Sequence, residues 1–352
     1  MYVALLRGCL LLAIMIAAIW PGPAVCQPPA DAIDLAGQPL AAARRTAIDA
    51  GTFHRKLSEE KLRAWRNIAS RCTMAEFELF LSPLTREEER LIAKMATLSP
   101  PIINRLHFED LRAVLKHGGL RSYWEEERTN SHLKHTTPAV ENELYGAYDC
   151  VFASVGPPDG SPRYGEVILR LKDTVREHGW ATPFSGMHFL SAIRGKDAQQ
   201  MQQLLADGKQ LPTDPTDPLS LGFDDRLHFS HYVVAEQHWE QALAHQAIVV
   251  LRGADDSPAG DKIRERFQKL LTENDSHQFW QTFIPPWEPG LPPEEAAART
   301  PFGYLEGKFD DRLSIENFTA IEVPAEQLSE VRSWPEAQPH LALIRAKAKG
   351  AP

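Results

Sequence analysis

The densest set of side chains able to hold a metal is a run of four histidines, His228, His231, His238 and His245. Neutral imidazole is a common metal ligand, so a metal-dependent periplasmic hydrolase is one chemistry these residues offer. The run contains no HExxH, and no acidic residue stands at a recognised ligand spacing from it. His231, His238 and His245 recur every seven residues, which puts them on one face of a helix. The same spacing fits a half-buried stripe with Val234 and Leu243, and both readings stay open. His107 has a different setting. It lies near the end of an apolar run, Ile102 to Phe108, and is followed by Leu111, Val114 and Leu115 at the spacing of one buried helical face. Acids open that helix (Glu109, Asp110), Lys116 and His117 close it, and Gly118-Gly119 stop it. A histidine at the handover from strand to helix points into a cleft, not into a core.

The elements around these residues are those of an α+β chain. Between Leu57 and Leu98 the signals are helical, with Ser58 as an N-cap, Leu57 and Leu62 as a hydrophobic staple, and Thr73–Glu76 and Thr85–Glu88 at capping-box spacing. The polar stretch Tyr123 to Asn142 reads as a long loop, of the kind that often carries function. Cys150 to Val155 and Gly165 to Leu171 read as two strands, and the Pro/Gly-rich segment between them predicts a hairpin. Residues 192–208 resemble the start of an ankyrin repeat, but no second copy follows and a lone helix is expected there. Ala247 to Leu251 reads as a buried strand, Asp261 to Leu271 as a helix, and Tyr304 to Phe309 and Thr319 to Val323 as two further strands.

Three of these stretches, in order, resemble the motifs of the ADP-ribosyltransferase family, its diphtheria-toxin-like bacterial mono-ADP-ribosyltransferase toxins especially. The first is the strand ending at His107, the short helix and the turn Gly119-Leu-Arg-Ser122. In that family this histidine grips the adenosine side of NAD. The second is Phe152-Ala153-Ser154, with Tyr164 beyond it as a stacking aromatic near the nicotinamide. The third is Gly303-Tyr-Leu-Glu306-Gly-Lys-Phe309, followed by Ser314-Ile-Glu-Asn-Phe-Thr-Ala-Ile-Glu-Val-Pro324. There the resemblance implies that Glu306 is catalytic. Tyr304 stands two residues before Glu306, where the arginine-modifying members carry Glu or Gln, so arginine is not the implied acceptor.

What the resemblance implies is a split mixed β-sheet around an NAD cleft, preceded by a small helical subdomain. The expected substrate is NAD, with Glu306 catalytic and His107, Gly119, Ser122, Phe152, Ser154 and Tyr164 binding it. Breaking the nicotinamide–ribose bond develops positive charge on the ribose, and a fixed carboxylate beside it stabilises that charge as it forms. No GxGxxG opens a βαβ unit, which argues against Rossmann-type hydride transfer, and neither Walker A nor GxSxG occurs. A non-catalytic secreted interaction protein on the same fold is the reading from a different class.

Composition bounds these expectations. The chain has 352 residues, 43% of them hydrophobic and 24% charged, which is globular usage with room for a full core. A net charge of −9 argues against a general nucleic-acid binder. Residues 1–26, with Arg7 before the apolar stretch from Gly8 to Trp20, read as a signal peptide, so a secreted or periplasmic protein is expected, not held in the membrane after cleavage. Residues 27–50 read as a flexible lead-in, 51–99 as the helical subdomain, 100–325 as the ADP-ribosyltransferase-like domain and 326–352 as a C-terminal tail. Cys72 and Cys150 lie beyond the signal and are either one disulfide or two buried thiols. Without a CxxC pair a structural zinc site is not expected. An exported enzyme of this kind would meet NAD inside a target cell, where its acceptor is expected to be a protein.

Overall fold

The computed structural model describes residues 34–35, 38–39, scattered positions of 59–81, and 82–128, 147–160, 162–183, 233–284, 304–310 and 312–348. The signal segment, Cys72, residues 192–208, His228 and His231 lie outside the described residues, as do most of the lead-in and of the 123–142 stretch. In chain order the strands are β1 (Asp34–Leu35), β2 (Gln38–Pro39), β3 (Ile102–Leu106), β4 (Gly119–Arg121), β5 (Cys150–Val155) and β6 (Val167–Leu171). They continue with β7 (Gly179–Pro183), β8 (Val234–Ala235), β9 (Leu305–Asp310), β10 (Arg312–Ser314), β11 (Phe318–Val323) and β12 (Ile344–Ala346). The helices are α1 (Arg86–Met95), α2 (Phe108–His117), α3 (Tyr123–Arg128), α4 (Trp239–Arg252), α5 (Pro258–Thr272), α6 (Ser276–Phe283) and α7 (Leu328–Ser333). The class is α+β with a mixed, open sheet.

The chain divides into two compact units. The first comprises Met1–Pro83, Tyr123–Cys150 and Trp180–His238. In it β1 pairs antiparallel with β2, and β7 with β8. Tyr123 to Arg128, expected as loop, is the helix α3. It packs on a 3-10 turn at Ala147–Asp149.

The second unit comprises Leu84–Ser122, Val151–Gly179 and Trp239–Pro352. Six strands lie side by side in the order β12-β11-β6-β3-β5-β9, with β3 antiparallel to both neighbours, β6 antiparallel to β11, and β11 parallel to β12. The predicted hairpin therefore does not form: β3 sits between β5 and β6, which run parallel to each other. The eleven residues from Gly156 to Glu166 are more than the two to five of a tight hairpin loop, enough to cross the intervening strand. Two arginines hold that crossing down. Arg105 donates to the carbonyls of Gly165 (2.7 Å) and Asp159 (2.9 Å), and Arg170 to the carbonyl of Pro158 (2.6 Å) and to Asp159 Oδ1 (2.8 Å).

The helix signals around His107 were sound. Leu111, Val114 and Leu115 are buried, and Gly118 ends α2 with φ +72°, the left-handed conformation that favours glycine. Thr85 and Glu88 form the expected capping box at α1. Glu88 also takes a two-pronged contact from Arg252 at 2.7 Å, which ties α1 to α4. Ala247 to Leu251, expected as a strand, belongs to α4 instead. A short apolar run does not separate strand from buried helix, and here no turn signal interrupts the pattern begun at Trp239. Residues 326–352 contribute α7, a 3-10 turn at Pro335–His340 and the edge strand β12. No described helix is long and apolar enough to cross a membrane.

Candidate functional site

Strand alternation decides which predicted residues share a face. In the β3–β5 register Ile103 lies opposite Ser154, so Arg105 falls opposite Phe152 and all four point to one side. Backbone at His107 is still extended (φ −70°, ψ 149°), which carries the alternation on to that residue. Lys308 Nζ lies 5.1 Å from the Phe152 ring centroid, so Lys308 is on this side too, and Glu306 with it. His107, Phe152, Ser154 and Glu306 thus belong to one face of the second unit's sheet.

Glu306 is 16% exposed, and its Oε2 accepts a hydrogen bond from Lys308 Nζ at 2.8 Å. Lys308 has no exposed surface at all. Lysine is almost never fully buried unless paired, because stripping water from the ammonium is expensive. Its nearness to the Glu306 carboxylate and to the Phe152 ring meets that need. Lys308 is the residue the sequence reading missed. Its signal was present, since i and i+2 on a strand share a face.

The other predicted residues have plain structural partners. Ser154 donates its hydroxyl to the Ile103 carbonyl (3.2 Å), and the Phe152 carbonyl accepts from Asn104 Nδ2 (2.7 Å). His107 is the N-cap position of α2, but its side chain makes no capping bond. Glu166 caps in its place: Oε1 accepts from the Phe108 N–H (2.9 Å), and Oε2 lies 3.6 Å from His107 Nδ1. A carboxylate there is favoured by the positive end of the helix. The imidazole remains 55% exposed. Tyr164 is exposed, while Ser122 is fully buried behind β4.

Gly119 pairs with Ser314 across the two-stranded β4–β10 ribbon. Its φ is +146°, and an added Cβ would stand 2.1 Å from the Leu313 carbonyl oxygen. Close strand packing accounts for this glycine without a ligand. Gly119→Ala is expected to destabilise the protein by about 2 kcal/mol or more through strain and forced strand separation. A role in ligand approach alone would leave the urea midpoint unchanged.

The histidine run is not one helical face. Val234–Ala235 is a strand, Glu236–His238 a 3-10 turn, and the helix starts only at Trp239. In the first unit His238 Nδ1 lies 2.7 Å from Ser70 Oγ, which in turn accepts the Ala235 N–H. Among the described residues no three His, Cys, Asp or Glu side chains gather as metal ligands. Cys150 is buried, and Cys72 lies outside the described residues.

His245, in the second unit, is 1% exposed, and burial pushes its imidazole down to about 4. The unfolded chain takes up this proton near pH 6.5, whereas the folded protein resists it until about pH 4. Stability is therefore lost as pH falls through that window, by about 3 kcal/mol in total. His245→Gln should flatten the pH dependence of urea unfolding between pH 6.5 and 4. An equal slope in the variant would place the acid sensitivity elsewhere.

Described residues of the second unit line at least two cavities. One of about 410 Å³ is lined by Ser99, Pro101, Leu171, Asp173, His277 and Trp280, among others, and one of about 150 Å³ by Val175, His178, Phe309, Arg312, Leu313 and Asn317. Neither is lined by a residue predicted to be catalytic or to bind NAD. No family model matches the chain. No curated protein matches it either.

Proposed function

We propose that the protein is a mono-ADP-ribosyltransferase that cleaves NAD and passes ADP-ribose to an acceptor, with Glu306 as the catalytic carboxylate. The observation that carries this reading is the half-buried Glu306 carboxylate, fixed by Lys308 on the sheet face that also holds Phe152 and Ser154. A positioned anion in a partly dry site is what a developing oxocarbenium ion needs. Phe152 offers a flat apolar surface beside it, and His107 lies along the same face two strands away. The finer fold assignment, an ADP-ribosyltransferase-like split sheet around the NAD cleft, belongs to this proposal, as do export, a target-cell protein as acceptor and NAD as substrate. Nicotinamide release from NAD by the purified protein tests it, with the Glu306 variant as its control.

One observation favours a second reading, a secreted interaction protein without activity on the same fold. The Glu306 carboxylate already engages Lys308, which satisfies both groups without a ligand. A wild-type protein that neither binds NAD nor releases nicotinamide would select it.

A further inference from the structure

The smaller cavity has a lining that selects a ligand by charge. Its walls are Val175, Phe309 and Leu313, all buried. Its polar side chains are His178, Arg312 and Asn317, and none of the described residues lining it is acidic. Three separate elements bring these groups together: the 3-10 turn Asp173–His178, strand β10, and the 3-10 turn Ile315–Asn317. The Arg312 guanidinium donates from one nitrogen to the His117 carbonyl, a neutral acceptor. A guanidinium carries five N–H donors in a fixed fork, so that single bond leaves most of the fork able to take both oxygens of an anion. The Asn317 amide adds a neutral donor, and the backbone holds it in place, since its own carbonyl accepts the Lys172 N–H at 2.8 Å.

We propose that this cavity binds a small oxyanion, a phosphate or carboxylate group, with Arg312 as its fork, His178 and Asn317 as lateral donors and Phe309 as its floor. The site stands apart from the Glu306 face, because Phe309 follows Lys308 on β9 and points to the other side of the strand. It does not depend on NAD cleavage.

The test is a titration of the full-length protein with inorganic phosphate, and separately with acetate, at constant ionic strength held with sodium chloride. Binding is read from the His178 ring signals in heteronuclear NMR. A saturable shift is expected for at least one of the two anions. Arg312→Gln should weaken it tenfold or more, on the order of a lost charge-assisted hydrogen bond. Because Arg312 also touches the end of α2, His178→Gln serves as a second variant, read from Asn317 side-chain amide signals, and should weaken binding several-fold with an unchanged urea midpoint. Saturation by phosphate alone or by acetate alone names the group that is bound. Shifts that do not saturate, that chloride reproduces, or that persist at wild-type affinity in both variants overturn the proposal.

Discussion

Glu306→Gln should cut nicotinamide release from NAD by on the order of 10²–10³-fold, the usual cost of removing one preorganised group that meets charge in the transition state. The isosteric amide keeps the side chain's size and its reach to Lys308, but it loses the negative charge. That loss has a second consequence. The Lys308 ammonium is fully buried and sits 2.8 Å from the carboxylate, so neutralising Glu306 leaves it in a less compensated site. Breaking a buried pair by removing one partner costs about 3–5 kcal/mol. Glu306→Gln alone therefore confounds lost chemistry with lost folding. The double variant Glu306→Gln/Lys308→Met separates them, since replacing both members of a buried pair is often neutral in stability. The expected result is a urea midpoint near wild type with release still depressed. Recovery of nicotinamide release in the double variant would show that Glu306 acts only through folding, and the catalytic assignment would fall.

How much of this was legible beforehand depended on whether the cause was local. α2 was readable because its whole logic lies within a dozen residues: acids first, basic residues last, an apolar stripe, then Gly118 in the left-handed conformation. β5 was readable for the same reason, as β-branched and apolar residues bounded by Gly156-Pro-Pro. Pairing was not local. Nothing within β5 or β6 says that β3 lies between them, and only the length of the connection hinted at it. Likewise Glu166 caps a helix whose first residue is 58 positions earlier in the chain, a relation that only the fold creates. Ala247 to Leu251 failed for a different reason, because a five-residue apolar run has no period long enough to tell 2 from 3.6. Of the site, the face shared by Glu306 and Lys308 was present in the sequence as i, i+2 alternation. Its alignment with Phe152 needed the sheet.

The crossing that replaced the expected hairpin makes Arg170 the most consequential structural side chain in the second unit. It reaches Glu322 through both Nε and Nη2 (2.7 and 2.8 Å), Asp159 Oδ1 (2.8 Å) and the Pro158 carbonyl (2.6 Å). One guanidinium thus ties β6 to β11 and pins the connection that leads out of β5. Burial alone would raise the Glu322 pKa, but its hydrogen bonds to Arg170 and Arg345, and their charges, outweigh that and hold it below the ordinary value. A carboxylate with a depressed folded pKa contributes stability above its unfolded value, about 4.3, and loses it as pH falls through the folded one. Arg170→Met should therefore destabilise the protein by about 3 kcal/mol or more at pH 7, because it takes the shared guanidinium from Asp159, leaves Glu322 with Arg345 alone, and unpins the loop. The same substitution should reduce the fall in wild-type stability below pH 4.3, since Glu322 then keeps only Arg345 to hold its pKa down against burial. Arg170→Met/Glu322→Met should recover part of the loss at neutral pH. It should not recover all of it, because the Pro158 carbonyl and Asp159 remain without the donor that held them. Urea unfolding at pH 7 and pH 4 measures both effects. A single variant that unfolds at the wild-type midpoint at pH 7 would mean that the crossing is held by Arg105 and strand pairing alone.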